Sequence, residues 1–142
     1  MRKLLLVSKE DAIQFRLPVK AFERMLRKIL RSEKTKAKTL ELHLVHSLAM
    51  KKLNLKFRGK NKATDVLSFP DRSQQSLGTI VIDLNTATKQ AKEFRHSTLQ
   101  EVKELFVHGV FHLLGYDHEV AREAQEMGKK ENQANRWWTS KP

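Results

Sequence analysis

The segment TLQEVKELFVHGVFHLLGYDH, residues 98–118, decides how the rest of the chain is read. Thr98 followed by Glu101 has the form of a capping box, in which two side chains satisfy each other's backbone N–H groups, so a helix is expected to begin there. It is expected to run to Leu114 and to stop at Gly115, a residue type favoured just past a helix C-terminus. At 1.5 Å per residue it is about 25 Å long. His108 and His112 are four apart, which places both on one face, one turn apart, close enough to share a metal ion. Gly115 lets the chain turn back, so that His118 approaches as a third ligand. Zn²⁺ takes nitrogen ligands in a tetrahedral shell, and three protein ligands leave the fourth position open, as in catalytic sites. The spacing is that of the zinc-peptidase pattern H-E-x-x-H-x-x-G-x-x-H, with Gly109 in place of the general-base Glu. Glycine moves no proton, so a metal site is expected and peptidase chemistry is not. An HxxxH pair alone is more simply two hydrogen-bonded helix histidines; the third His at the right offset favours the metal.

Outward from this helix the chain alternates strands and helices. Residues 3–8 are a short apolar run that reads as a first strand. Pro18 suits the first turn of a helix, and Val19, Phe22, Met25, Leu26, Ile29 and Leu30 follow at helical spacing. Residues 32–38 carry no apolar period and read as a loop. Leu40, Leu42 and Leu44 alternate with Glu41, His43 and Val45, the period of a strand. Ser47 is the expected N-cap of a helix to about Phe57, before a basic turn at residues 58–62. Val66, Leu67 and Phe69 are expected in a second central strand that Pro70 stops. Gly78–Leu84 reads as a further strand, and Asn85 or Thr86 as the cap of a helix to about Phe94. A last helix is expected over Glu119–Asn135. The pattern predicts one α/β or α+β domain over residues 1–142, of which α+β is the reading adopted. It has a small mixed four-stranded sheet, about five helices and a metzincin-like zinc helix.

The 142 residues are 39% hydrophobic and 31% charged, enough for a core that hides roughly two-thirds of the unfolded surface. The absence of cysteine excludes disulfides, thiolate metal sites and cysteine nucleophiles. The run Leu4-Leu5-Leu6-Val7 is too short for a membrane span or a signal-peptide core, so no membrane partner and a cytoplasmic location are expected. The net charge is +12, and it is lopsided. Residues 1–62 hold 18 Lys/Arg against 5 Asp/Glu, whereas residues 63–142 hold 10 against 11. A basic half on a folded domain points to a polyanion, nucleic acid first, with a solubility surface or a basic face toward anionic lipid as the alternatives. No DNA specificity is expected.

The window His108–His118 resembles the signature of the YbeY family, bacterial metal-dependent endoribonucleases involved in ribosomal RNA maturation. Leu53-Asn54-Leu55-Lys56-Phe57-Arg58-Gly59-Lys60 followed by Thr64-Asp65-Val66-Leu67-Ser68-Phe69-Pro70 is similar to a second motif of that family. Leu77-Gly78 leading into Ile80-Val81-Ile82, and His96-Ser97 ahead of the histidine helix, agree as well. The resemblance covers roughly residues 40–127. The family usually has an acidic residue after the Leu-Gly pair, where this chain has Thr79, and Trp137-Trp138 matches no family pattern.

The resemblance implies one zinc ion per chain on His108, His112 and His118, and a functionally important arginine that falls on Arg58. It implies cleavage of single-stranded RNA, in maturation of the small-subunit rRNA 3′ end and in ribosome quality control. RNA, ribosomal RNA and ribosomal particles are then the expected partners. Arg58 and the ligand His108 are the expected catalytic residues, with Arg58, Lys60 and Lys62 at the substrate. A guanidinium suits this role because its planar fork matches two phosphate oxygens. Asp65 is expected to cap a turn, Asp117 to orient a ligand or cap, and His96 to act at the helix entry. His43 and His46 are expected at the surface, and Tyr116 in packing or at the substrate.

Zinc lowers the pKa of bound water to about 7. Attack on phosphorus and removal of the ribose 2′-hydroxyl proton both proceed without a carboxylate base, so both routes stay open. Seven Phe, one Tyr and two Trp, mostly at core-like positions, predict little base specificity. Two rival readings are a metal-dependent hydrolase of another substrate class and a non-catalytic RNA-binding assembly factor with structural zinc.

Overall fold

The computed structural model describes residues 3–71, 73–117 and 119–139. The elements are β1 (Leu5–Lys9), α1 (Val19–Ser32), β2 (Thr39–Val45), α2 (Ser47–Arg58), β3 (Val66–Pro70), β4 (Ser76–Asp83), α3 (Leu84–Glu93), α4 (Thr98–Leu113) and α5 (Ala121–Asn135), before a 3₁₀ turn at Arg136–Thr139. The sheet order is β1-β2-β4-β3. β1 pairs parallel with β2, β2 parallel with β4, and β3 antiparallel with β4. The mixed four-stranded α+β architecture is therefore as expected, with one correction. β3 is an edge strand and not a central one, because β4 inserts between it and β2. Pro70 fits there as the last strand residue, since an edge tolerates a missing N–H.

The strand period sorts the two faces. Leu40, Leu42 and Leu44 of β2 and Ile80 and Ile82 of β4 lie in the main core. α1 adds Phe22, Met25, Leu26, Ile29 and Leu30 to it, and α4 adds Val102, Leu105, Phe106, Val107, Val110 and Phe111. The opposite face carries a smaller cluster of Met50, Leu67 and Val81 under α2. The C-terminal pair finds a role: the Trp138 ring lies 4.8 Å from that of Phe22 and 6.4 Å from that of Phe106, and so closes the core between α1 and α4.

The helix starts differ from expectation in three places. Ser47 is the first residue of α2, not its cap; its hydroxyl donates to the Asp83 carboxylate at 2.8 Å. Asp83, and not Asn85 or Thr86, caps α3, accepting from the N–H groups of both. Ser97 caps α4 in place of Thr98, accepting from the Gln100 N–H at 3.0 Å, and Glu101 turns to His96. For α3 and α4 the carboxylate or hydroxyl one position outside the helix reaches the orphan N–H groups in extended backbone geometry, whereas His46 before α2 makes no such bond.

Gly109 explains how α4 sits. It is buried in mid-helix, and a Cβ there would lie 2.8, 3.1 and 3.2 Å from three side-chain carbons of Ile80 on β4. The glycine is thus the point where helix and sheet touch. Gly109→Ala is expected to destabilise the fold by about 1–3 kcal/mol through overpacking. Trimming Ile80→Val in the same chain removes the nearest methyl and should restore part of the loss. Urea titration of the single and double variants checks this; equal stability of Gly109→Ala and parent would show that α4 shifts freely.

Candidate metal centre

His108 and His112 project from one face of α4, with ring centroids 5.5 Å apart. His108 Nδ1 lies 2.7 Å from Oε1 of Glu131 on α5. That hydrogen bond raises the His108 pKa above its ordinary value; burial opposes the shift, and the charges of Glu131 and Asp65 add to it. The same contact fixes the ring's tautomer and orientation in the neutral form, as carboxylates do for metal-bound imidazoles. Two imidazoles one turn apart, one of them held by a carboxylate, are a donor set that fits a zinc ion. His118, the third expected ligand, lies outside the described residues.

The turn that leads toward His118 is pinned from two sides. Gly115 ends the helix with φ 103°, a backbone angle that side chains disfavour. The Tyr116 hydroxyl donates to Glu33 Oε1 at 2.6 Å, and the Lys130 ammonium donates to Glu33 Oε2 at 2.7 Å. Lys130 Nζ also lies 5.7 Å from the Tyr116 ring centroid. Asp117 accepts from the Glu119 N–H at 2.9 Å and so caps the turn. Glu33 at the end of α1 thus ties the turn to α5. Burial works against ionisation of Glu33, but the hydrogen bonds from Lys130 and Tyr116 outweigh it and hold its pKa below the ordinary range.

The expected phosphate contacts occupy the α2–β3 connection. Arg58 is the exposed last residue of α2, and Gly59 follows in the left-handed region at φ 69°. Lys60 and Lys62 are exposed on the same connection, which the buried Asn54 side chain holds by donating to the Lys62 carbonyl at 2.9 Å. The connection ends at Asp65. Its Oδ1 accepts from the Val66 N–H at 2.8 Å, as expected of a cap, and its Oδ2 accepts from Gln90 at 3.4 Å. Asp65 is also one of the charges that act on His108. The fold therefore brings the far end of the basic connection to the histidine helix, while Arg58 stands at its near end.

A second group that could hold a metal ion lies at the α4 entry. His96, Glu101 and Glu104 offer ligand atoms all within 4.8 Å of one another. One His96 nitrogen faces Glu101 at 2.7 Å and the other faces Glu104 at 3.7 Å, so the ring is spanned by carboxylates. That arrangement secures the start of α4 and agrees with the expected helix-entry role of His96. His46 is bound to Asn85 at 2.7 Å, and His43 is half-buried and bonded to Ser8.

Glu33, Lys130 and Glu131 were not legible as site residues. Glu131 had a signal all the same. It lies four residues after buried Met127 and three before buried Ala134, so an acid stands on the inward stripe of α5.

The family model for Endoribonuclease YbeY matches residues 7–137. The Endoribonuclease YbeY of Nautilia profundicola is 50% identical over 98 residues, 68% of this chain and 69% of that protein. The Endoribonuclease YbeY of Carboxydothermus hydrogenoformans is 44% identical over 103 residues, 70% of this chain and 72% of that protein. The solution structure of TM1509 from Thermotoga maritima superimposes with a TM-score of 0.67 at 27% identity, over 95% of this chain and 89% of that one. Fold and motifs thus define a small α+β protein with a paired-histidine helix. The chain belongs to the YbeY family. No helix among the described residues is long and apolar enough to cross a membrane.

The Glu33 clamp makes a pH prediction. A carboxyl whose pKa is lowered on folding stabilises above its ordinary value of 4.5, and the contribution is lost as pH falls through the folded value. Glu33→Gln should therefore be less stable than the parent at pH 7, by about 1–2 kcal/mol, and the two should converge on acidification. Thermal melts from pH 7 to pH 3 give the comparison. Parallel curves with a constant gap would assign the loss to packing.

Proposed function

We propose that this protein is a metal-dependent endoribonuclease that hydrolyses single-stranded RNA. The observation that carries the reading is the His108–His112 pair on α4 with Glu131 behind it, in a chain whose relatives are named endoribonucleases. Ribosomal RNA and ribosomal particles in the cytoplasm are the proposed setting, with maturation of the small-subunit rRNA 3′ end as the task.

His108, His112 and His118 would hold one zinc ion. When bound, zinc supplies positive charge beside the phosphate and lowers the pKa of water toward about 7. The chain's own residues do the rest. Glu131 accepts the Nδ1 proton of His108 and so presents Nε2 as the metal-facing atom. Arg58 offers two parallel N–H donors to phosphate oxygens and opposes the charge that develops on them. Lys60 and Lys62 carry the neighbouring phosphates along the connection to Asp65. A peptidase reading has no support, because the buried contact of Gly109 with Ile80 leaves no room for a general-base side chain there.

Purified protein should carry one zinc per chain. His112→Ala should abolish tight binding, and Glu131→Ala should weaken it about 10- to 100-fold. Elemental analysis and chelator competition measure both; undiminished metal in His112→Ala would refute the ligand set. Arg58→Ala should keep zinc and fold but cut single-turnover cleavage of saturating single-stranded RNA about 100- to 1000-fold. Arg58→Lys should recover only part, because a point charge lacks the fork. Cleavage by Arg58→Ala at the parental rate would remove Arg58 from the chemistry.

A further inference from the structure

The sheet face opposite α4 is only partly covered. Across it run two side-chain rows, Ser8–His43–Val81–Leu67 and Leu6–Glu41–Thr79–Phe69, read from the strand register. α2 lies over the β4 side, and beside it opens a groove of about 580 Å³. Leu53 and Phe57 of α2 form one wall, Phe69 and Val81 the base, and Ser8, His43 and Lys9 the far side. The Phe57 ring is 56% exposed although it faces this groove, and its centroid is 5.1 Å from that of Phe69 at a tilt of 60°. Phe57 is thus among the few aromatics that stand outside the core, as Phe94 also does. A large exposed ring on the rim of an apolar groove is a mark of a binding surface.

Charge says what the groove receives. Residues 51–62 contain six Lys/Arg and no Asp/Glu, and all six cations are exposed. Lys56 Nζ stands 5.2 Å from the Phe57 ring centroid, and Arg58 is the next residue in the chain. Exposed π-faces beside a line of cations suit a polyanion that itself carries flat rings. Glu10 and Glu41 stand on the β1–β2 side, so phosphates are steered to the α2 side and bases to the groove. The groove lies on the sheet face opposite α4, with the edge strand β3 between them. Phe69 is three residues from Val66, about 10 Å along β3.

We propose that Phe57 and Phe69 form a base-stacking subsite for single-stranded RNA on the sheet face opposite the histidine helix. The subsite rests on RNA being the substrate. It holds bases by their faces and reads no edges, while residues 58–62 hold the backbone. The strand crosses the β3 edge between the groove and α4.

The test uses the metal-loaded full chain and a fluorescein-labelled 12-mer 2′-O-methyl oligouridylate, with inorganic polyphosphate as the polyanion without bases. Phe57→Leu should weaken oligouridylate binding about 5- to 150-fold, the range for loss of one stacked base. Its polyphosphate affinity and the salt slope of binding should stay parental. Phe57→Trp should retain affinity, and its added indole emission should be quenched by the oligonucleotide. Parental oligouridylate affinity in Phe57→Leu would overturn the subsite and leave the groove to a protein partner. An equal loss for both polyanions would also overturn it, as a purely electrostatic or structural effect. Cleavage is read separately: a parent that cuts no RNA while Phe57→Leu loses oligouridylate alone upholds the subsite and refutes the nuclease.

Discussion

The contact between Gly109 and Ile80 sets the geometry on which the site depends. α4 must lie close enough to β4 for its apolar face to join the core, and close enough to β3 for Asp65 to act on His108. A side chain at position 109 would lift the helix at the turn between the two histidines. The apolar residues of α4 gain about 1.5–3 kcal/mol each when fully buried, whereas a helix cap contributes about 1. Packing of α4 on the sheet therefore places the histidines, and Ser97 only tidies the helix start. The position that in the peptidase pattern supplies a base is here spent on packing.

Much of the fold was legible because its signals are local. The alternation in β2 and the helical spacing in α1 each report one burial pattern, and both survive in the structure. The helix start at residue 98 was also legible, but its cap was misassigned. Thr98-x-x-Glu101 matches the capping-box spacing, yet Ser97 sits one residue earlier with extended backbone and wins the hydrogen bond. Asp83 escaped notice for a related reason. It ends a strand, and its cap role appears only when β4 runs directly into α3. The edge position of β3 was hidden too, because strand order depends on crossovers that no local pattern records.

Half of the candidate centre lies in the motif, and the other half lies in carboxylates far along the chain. Glu131 is 23 residues from His108, and Glu33 is 83 residues from Tyr116. Spacing on one helix cannot find such partners, since they arrive from α5 and α1. They follow a common logic. Each is a half-buried acid whose burial is offset by a charge-assisted or polar hydrogen bond, and each restrains a residue of the histidine motif. An acid on the inward stripe of a helix is costly unless it has such a partner, so the inward stripe of α5 is where the missing residue could be sought.

The edge strand links the two halves of the molecule's chemistry. β3 has a sheet neighbour on one side only, and the basic connection from Arg58 to Asp65 delivers the chain to its start. An exposed strand edge invites pairing with another chain, and natural proteins blunt it with charge and proline. Pro70 at the end of β3 does this. The exposed cations of residues 58–62 stand in the connection that leads into this edge. A strand left at the edge is also left accessible, so the charge that precedes β3 faces solvent where the sheet ends.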